Sequence, residues 1–341
     1  MQPVRQKQMP LIGQSKKWLI TGVAGFIGSN LLEELLNQDQ EVIGVDNLST
    51  GFESNLVAVK SKVGTERWKR FQFHLEDICN EKKMSELAAG CHYILHQAAL
   101  GSIPRSIANP MATHHANVTG FVSILNAART NNIKKVVFAS SSSVYGSSPD
   151  LPKLESNIGE PLSPYAGTKL MNEIYAEIFF KTYKLPYIGL RYFNVFGPRQ
   201  SPAGEYAAVI PRWIHAAANG QTVTVNGDGE TSRDFCYIDN AVQANIRAAL
   251  APATGDNKVF NVACGAQNTL NTLLETIMSA LKGCGIDVSK SKIIRREFRQ
   301  GDIRHSLADI SSARNLLGYE PTHDLFSGVT ELIKTGSFQT N

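Results

Sequence analysis

An α/β fold, with a doubly wound parallel sheet and a smaller C-terminal α/β lobe, is predicted by an alternation of strand and helix patterns and by the point where that alternation stops. Over residues 18–195 short β-branched runs (WLITG, EVIGVD, FQFHLED, YILHQAA, KVVFASS, YIGLRYFNV) alternate with amphipathic segments, the pattern of parallel strands joined by crossover helices. Beyond Pro198 shorter helical patterns at 207–219, 239–250 and 270–281 are interleaved with brief strands such as TVTVNG and KVFNVA. These predict a lobe closing over the carboxyl ends of the strands, where such sheets bind ligands. The expected division is an N-terminal arm at 1–16, a sheet domain at 17–197 and a substrate lobe at 198–341, with the chain crossing between the two.

Composition fits that class. The 341 residues are 43% apolar and 19% charged, as in ordinary globular chains rather than disordered or fibrous ones. The net charge of +4 comes from scattered basic residues, which gives no case for a nucleic-acid or membrane-surface protein. The apolar runs are too short to span a bilayer and the N-terminus lacks a signal-type apolar core, so a cytoplasmic location is expected. Five cysteines without CxxC or Cys/His spacing predict neither a disulfide framework nor a metal site.

The first strand runs into TGVAGFIG (21–28) and a helical pattern at 29–37. Glycines in this spacing allow a tight turn, close approach of a pyrophosphate to backbone N–H groups, and close packing of helix on strand. The next strand ends in Asp46, 18 residues after Gly28. A carboxylate there accepts from a ribose diol and repels a 2′-phosphate, so the Rossmann-type reading predicts NAD rather than NADP. The cofactor-facing residues at this end are Gly22, Gly25, Phe26, Ile27, Gly28, Asp46, Asn47 and Gly51. Asp77 and Ile78 close the third strand, and Gln97, Ala98 and Ala99 close the fourth with small residues against which a dinucleotide can lie.

The fifth strand ends in Ser140-Ser141-Ser142-Ser143-Val144-Tyr145-Gly146, followed by Tyr165 and Lys169 in SPYAGTK. Side chains at i and i+4 of a helix share one face. A lysine ammonium beside a phenol favours the phenolate, drawing a pKa of about 10 toward working pH and making Tyr165 a candidate base. A strand-end serine could hold the same substrate oxygen.

With TGVAGFIG, HQAA, SSSSVYG, YAGTK and RYFNVFGPRQ in this order, the chain resembles the extended short-chain dehydrogenases/reductases, and among them the UDP-hexose 4-epimerases. The likeness covers about 17–317. It implies a catalytic set of Ser141, Tyr165 and Lys169, with Ser142 and Ser143 also facing the sugar; counting four back from Tyr145 selects Ser141. It implies that Tyr165 takes the 4-hydroxyl proton while tightly held NAD accepts hydride from C4, and that the 4-ketose turns before reduction on its opposite face. Lys169 would also hold the nicotinamide ribose, while Asn194 and Val195 would meet the sugar nucleotide and the nicotinamide amide. Helical segments at 113–131 and 165–183 resemble those that pair in family homodimers.

For a UDP-sugar the second half offers Arg233 in GETSRDF and Arg299 in FRQGD, since a guanidinium suits bidentate phosphate binding. Asp302 could accept from a ribose hydroxyl, and Val209, Trp213, Val225 and Asn226 are candidates around uracil. The blocks HQAALGSIPRS, YAAVIP, GDGETSRDFCYI and GDIRHSLADI are most similar to the subgroup acting on N-acetylated UDP-hexoses. Within them Gly101 and Ser102 are small where an acetamido group must fit, and Ser306 matches the position whose bulk limits C2 substituents. The resemblance implies UDP-N-acetylglucosamine 4-epimerisation for surface polysaccharide or O-antigen synthesis. The same reaction on the uronate, where Arg105 could meet a carboxylate, and a silent NAD-binding sensor are the alternatives.

Overall fold

The computed structural model describes residues 12–201, 208–298 and 303–336. The strands β1 (Lys17–Thr21), β2 (Glu41–Asp46), β3 (Phe71–Leu75), β4 (Tyr93–His96), β5 (Lys135–Ser141) and β6 (Tyr187–Tyr192) are those predicted: β2 and β5 span the expected runs, β1 starts one residue earlier, and β3, β4 and β6 stop two or three residues short. Val195–Phe196 forms a separate short strand, β7. In the second half lie β8 (Val223–Asn226), β9 (Ser232–Arg233), β10 (Cys236–Tyr237), β11 (Lys258–Val262), β12 (Asn268–Thr269) and β13 (Ile293–Arg296). The main sheet has seven strands in the order β11-β6-β5-β4-β1-β2-β3, all parallel. The order reverses between β1 and β4, so the crevice opens at their carboxyl ends.

Helices cover both faces. In the first half they are α1 (Phe26–Asn37), α2 (Glu53–Trp68), α3 (Glu81–Ala88), α4 (Ile103–Ala108), α5 (Pro110–His114), α6 (Gly120–Thr130) and α7 (Pro164–Tyr183). The second half adds α8 (Val209–Ala218), α9 (Ile238–Leu250), α10 (Leu270–Gly283), α11 (Ser311–Leu317) and α12 (Leu325–Lys334). Parallel strands buried on both faces read as continuous apolar runs, and β4 and β6 are buried nearly throughout. Among the described residues no helix is long and apolar enough to cross a membrane.

Two departures from the sequence reading bear on the site. KVFNV, expected in the second lobe, is the edge strand β11 of the main sheet, paired in register with β6; a strand-forming run does not itself reveal which sheet takes it. The helix expected at 113–131 is broken into α5, a π-helical segment (His115–Thr119) and α6. The wider turn comes with a side-chain clamp: Asn117 accepts from the Leu100 N–H at 2.7 Å and donates to the Leu100 carbonyl at 3.2 Å.

Candidate active site

A cavity of about 420 Å³ lies over the carboxyl ends of the central strands. Gly22 leaves β1 at φ +71° and sits so close to the fourth strand's end that a Cβ would lie 2.7 Å from Ala98 N. At Gly28 a Cβ would lie 2.0 Å from the Gly22 carbonyl oxygen. Only glycine meets both constraints without backbone movement. The N-cap of α1 is Gly25, with no side-chain cap and no acidic residue in the first turn. The helix therefore presents free N–H groups and the positive end of its dipole to an anion.

Asp46 is prepared from two sides. Its Oδ2 accepts from the Ala24 N–H at 2.9 Å and its Oδ1 from the Leu48 N–H at 2.8 Å. Burial pushes its carboxyl above the ordinary range and the two backbone donors pull it back only in part. Asp77, two residues beyond β3 rather than its last residue, accepts from the Cys79 N–H at 2.8 Å and the Asn47 amide at 2.9 Å. Against the upward push of its partial burial, these donors hold it below the usual carboxylate range.

The cavity walls include every predicted cofactor residue: Gly22, Gly25, Phe26, Ile27, Gly28, Asp46, Asn47, Gly51, Asp77, Ile78, Gln97, Ala98, Ala99, Tyr165, Lys169 and Val195. Of the predicted sugar-facing residues, Gly101, Ser141 and Asn194 also line it. The glycine turn, which leaves no room for a Cβ at Gly22 or Gly28, the uncapped helix and the preset Asp46 together fit a dinucleotide without 2′-phosphate.

Tyr165 and Lys169 stand on α7, which Ser163 caps by accepting from the Ala166 N–H at 3.2 Å, with Pro164 at its first position. Lys169 is 2% exposed and donates to the Ala139 carbonyl at 2.8 Å. Burial brings its ammonium down to about 8, opposed by the charge of Glu173. Its Nζ stands 6.0 Å from the centre of the Tyr165 ring.

The phenol departs from the expectation. Burial raises Tyr165 above its ordinary pKa, the Ser141 hydroxyl opposes this, and Lys169 does not reverse it. The ammonium is spent on a carbonyl of β5 instead of on the phenol.

The serine run divides. Ser140 and Ser141 line the cavity. Ser142 and Ser143, expected to face the sugar, belong to the 3-10 turn Ser142–Tyr145 and do not line it. Ser143 instead donates to the Ser141 hydroxyl at 2.9 Å. Four adjacent serines cannot reveal where the strand gives way to the turn.

Other predicted contacts fall elsewhere. Ser102, at φ +127°, uses its hydroxyl to accept from the Arg105 N–H at 3.2 Å and cap α4. Val225 is fully buried in the core. Trp213 is 2% exposed and donates from its indole to the Thr224 carbonyl at 3.0 Å. Trp213 and Asn226 border a separate cavity of about 290 Å³, and Val209 opens α8. Arg233 is half-buried, its guanidinium donating to the Ser232 carbonyl at 2.8 Å. Ser306 is half-buried, and its N–H donates to the same carbonyl at 3.1 Å. Arg299 and Asp302 lie outside the described residues.

Sequence reasoning missed Ser49, Thr50, Glu76, Leu100, Ala116 and Tyr192, which also line the cavity. Glu76 and Tyr192 adjoin or lie within segments already singled out. Ala116 is brought in by the π-helical turn and carries no sequence signal. Tyr192 closes a ring with Gln97 and Asn245: its OH donates to Gln97 Oε1 at 3.1 Å and accepts from Asn245 Nδ2 at 2.7 Å, while Gln97 Nε2 donates to Asn245 Oδ1 at 3.0 Å.

A Rossmann-type sheet, a crevice at its strand ends lined by the glycine turn and Asp46, and a tyrosine–lysine pair on one helix face define an enzyme class, the NAD-dependent extended short-chain dehydrogenases/reductases. Residues 18–263 match the family described as NAD dependent epimerase/dehydratase, and the chain belongs to that family. It is 35% identical over 321 residues to a UDP-glucose 4-epimerase of Mycolicibacterium smegmatis, covering 93% of this chain and 97% of the relative.

Among solved structures, one neighbour is the UDP-N-acetylglucosamine 4-epimerase from Methanobrevibacter ruminantium M1 in complex with UDP-N-acetylmuramic acid. Its TM-score is 0.87 at 37% identity, over 96% of this chain and all (100%) of the other. Another is the UDP-glucuronic acid 4-epimerase from Bacillus cereus in complex with UDP-glucuronic acid and NAD, with TM-score 0.83 at 29% identity over 95% of this chain and 99% of the other. The cofactor of this family is NAD.

Proposed function

We propose that the protein is a UDP-hexose 4-epimerase whose substrate pair is UDP-N-acetylglucosamine and UDP-N-acetylgalactosamine. The reading rests on one observation: Tyr165, Lys169 and Ser141 line the same cavity as the glycine turn and Asp46. Acid–base groups and cofactor cradle thus share one space.

Bound NAD supplies a reversible redox partner for the sugar C4. The chain does the rest. Ser141 and Tyr165 hold the 4-oxygen, and Tyr165 takes its proton on oxidation and returns it on reduction. Lys169 fixes the nicotinamide ribose, and its ammonium, tied to the Ala139 carbonyl, places a positive charge in the same cavity. Between the half-reactions the 4-ketose must present its other face while its nucleotide stays held, a task for the half after residue 198. There Arg233, Arg299 and Asp302 are the proposed pyrophosphate and ribose ligands, with Val209 and Asn226 the candidates near uracil.

The N-acetyl preference is supported by the small residues Gly101 and Ser306, by the long sequence blocks around them, and by the Methanobrevibacter neighbour named for that activity. The product would serve a glycosyltransferase building surface polysaccharide. A homodimer is proposed from the exposed apolar residues Met171, Ile174, Tyr175 and Ile178 on α7, near Ile107 and Met111 of α4 and α5. These elements pack against one another.

Purified protein assayed without added NAD should interconvert the two N-acetylated substrates. Turnover of only UDP-N-acetylglucosaminuronate would give the site to the uronate, and turnover of no UDP-hexose would favour an NAD-binding sensor.

A further inference from the structure

We propose that Glu173 is a positioning residue for the Tyr165–Lys169 pair: a carboxylate that fastens α7 to the ends of two strands and holds Lys169 in its ammonium form. This rests on the catalytic reading above and adds to it a residue that lies outside the cofactor cavity.

Glu173 follows Lys169 by four residues, on the same helix face, and is 8% exposed. Its Oε1 accepts from Ser140 Oγ at 2.5 Å and from Arg191 Nε at 2.9 Å, and its Oε2 accepts from Arg191 Nη2 at 2.7 Å. Ser140 and Arg191 face each other in register across β5 and β6. One carboxylate therefore bolts the helix to a registered pair of strand residues. The residue before Ser140, Ala139, gives its carbonyl to Lys169. Lysine and carboxylate grip successive positions of the same strand end, which fixes the height of Tyr165 over Ser141.

The charges around Lys169 make the carboxylate more than a fastener. A buried ammonium needs a counter-charge to stay ionised. From α7 itself come Tyr165 and Glu173. From β4 comes His96, whose ring burial keeps neutral and which also feels Lys169. From β6 comes Arg191, cationic and paired to Glu173. Tyr145 lies beneath the Arg191 guanidinium, and Glu155 gives that guanidinium its carbonyl. On the segments packed from the other side, Arg105 is half-buried and His114 and His115 are exposed. Among these, the anion that acts on Lys169 is Glu173.

The test is Glu173→Gln, which keeps the shape and removes the charge. Two readouts are needed in the purified, NAD-loaded protein: the titration of Lys169 followed by NMR with lysine labelled at Cε, and the pH dependence of kcat. The Lys169 midpoint should fall by about one pH unit or more, and the alkaline limb of kcat should move down with it. An unchanged midpoint overturns the proposal, and a shifted midpoint with an unmoved limb overturns its link to turnover. Because the single variant strands Arg191, Glu173→Gln/Arg191→Met guards against misfolding, since replacing both partners of a buried pair is often neutral. Judged against Arg191→Met alone, its Lys169 midpoint should lie lower, and equal midpoints in those two variants would contradict the proposal. If the wild-type protein turns over no UDP-hexose, the catalytic reading fails while the Lys169 titration still decides the role of Glu173.

Discussion

Arg199 and Glu33 form a partly buried ion pair, Nη1 to Oε2 at 2.6 Å, that joins the start of the second half of the chain to the helix carrying the glycine turn. The same guanidinium donates to Ser29 Oγ at 3.0 Å and to Asn30 Oδ1 at 2.5 Å, and Asn30 Nδ2 donates to the Pro198 carbonyl at 3.1 Å. This clasp holds α1 close to its N-terminus, the end that faces the cofactor cavity. Arg199→Met should therefore destabilise the fold by on the order of 2–3 kcal/mol, the scale for breaking a mostly buried pair. It should also release NAD during gel filtration. Denaturant midpoints measured with and without excess NAD check this, and a variant that keeps both stability and cofactor would show that the clasp is idle.

Asp46, a carboxylate held by two backbone N–H groups, is the proposed determinant of cofactor choice. Asp46→Ser removes the repulsion toward a 2′-phosphate and should narrow the preference for NAD over NADP by at least about tenfold, the equivalent of about 1.4 kcal/mol. Titrating the stripped variant with both dinucleotides gives the ratio. No change in that ratio would place the adenosine ribose elsewhere.

Activity and stability should respond to pH in opposite directions on the alkaline side. Lys169 titrates at about 8 in the fold against an ordinary 10.5, so kcat should decline as pH rises through about 8. The folded chain then binds fewer protons than the unfolded one between these values, so this group's penalty is relieved and its contribution to stability rises with pH. On the acid side His96, buried and held down to about 3 from 6.5, contributes stability above 6.5 that is lost as pH falls toward 3. Its Nε2 has no hydrogen-bond partner among the described residues. His96→Asn should flatten the acid part of a stability–pH curve, and an unchanged slope between 6.5 and 3 would mean that His96 does not titrate there.

Ser306 tests substrate size. Its N–H and the Ser232 carbonyl hold the 304–309 segment against β9, while the Lys153 N–H donates to Leu307 O at 2.8 Å and Lys153 O accepts from Asp309 N at 3.0 Å. The backbone is thus pinned on both sides of a small side chain. In Ser306→Tyr an aromatic ring would overpack an acetamido pocket at a cost of about 1–3 kcal/mol. Turnover of UDP-N-acetylhexosamines should fall while UDP-glucose and UDP-galactose are spared. Proportional loss on all four substrates would point to damage of the segment as a whole.

The parallel sheet, its crevice and the cofactor wall were legible because each rests on local patterns: β-branched runs, a glycine spacing between strand and helix, an acid at the next strand's end. Sequence could not show that β11 crosses back to the main sheet, because membership of a sheet is a long-range pairing. Nor could it place the serines: Ser140 turns to Glu173 and Ser143 to Ser141, choices made by the helix packed above them. The Tyr165 phenol was misjudged for the same reason. Helical spacing puts a lysine near a tyrosine, but only the fold shows the Ala139 carbonyl that claims the ammonium.

The central claim is that one C4 centre is oxidised and reduced within a closed site under the control of Tyr165. The most direct measurement uses UDP-N-acetylglucosamine deuterated at C4, incubated in ordinary water with purified protein and no added cofactor. UDP-N-acetylgalactosamine should form with deuterium retained at C4, and Tyr165→Phe should lose turnover by roughly 10²-fold or more. Product formed with the label washed out to solvent, or near-normal turnover in the tyrosine variant, would contradict it.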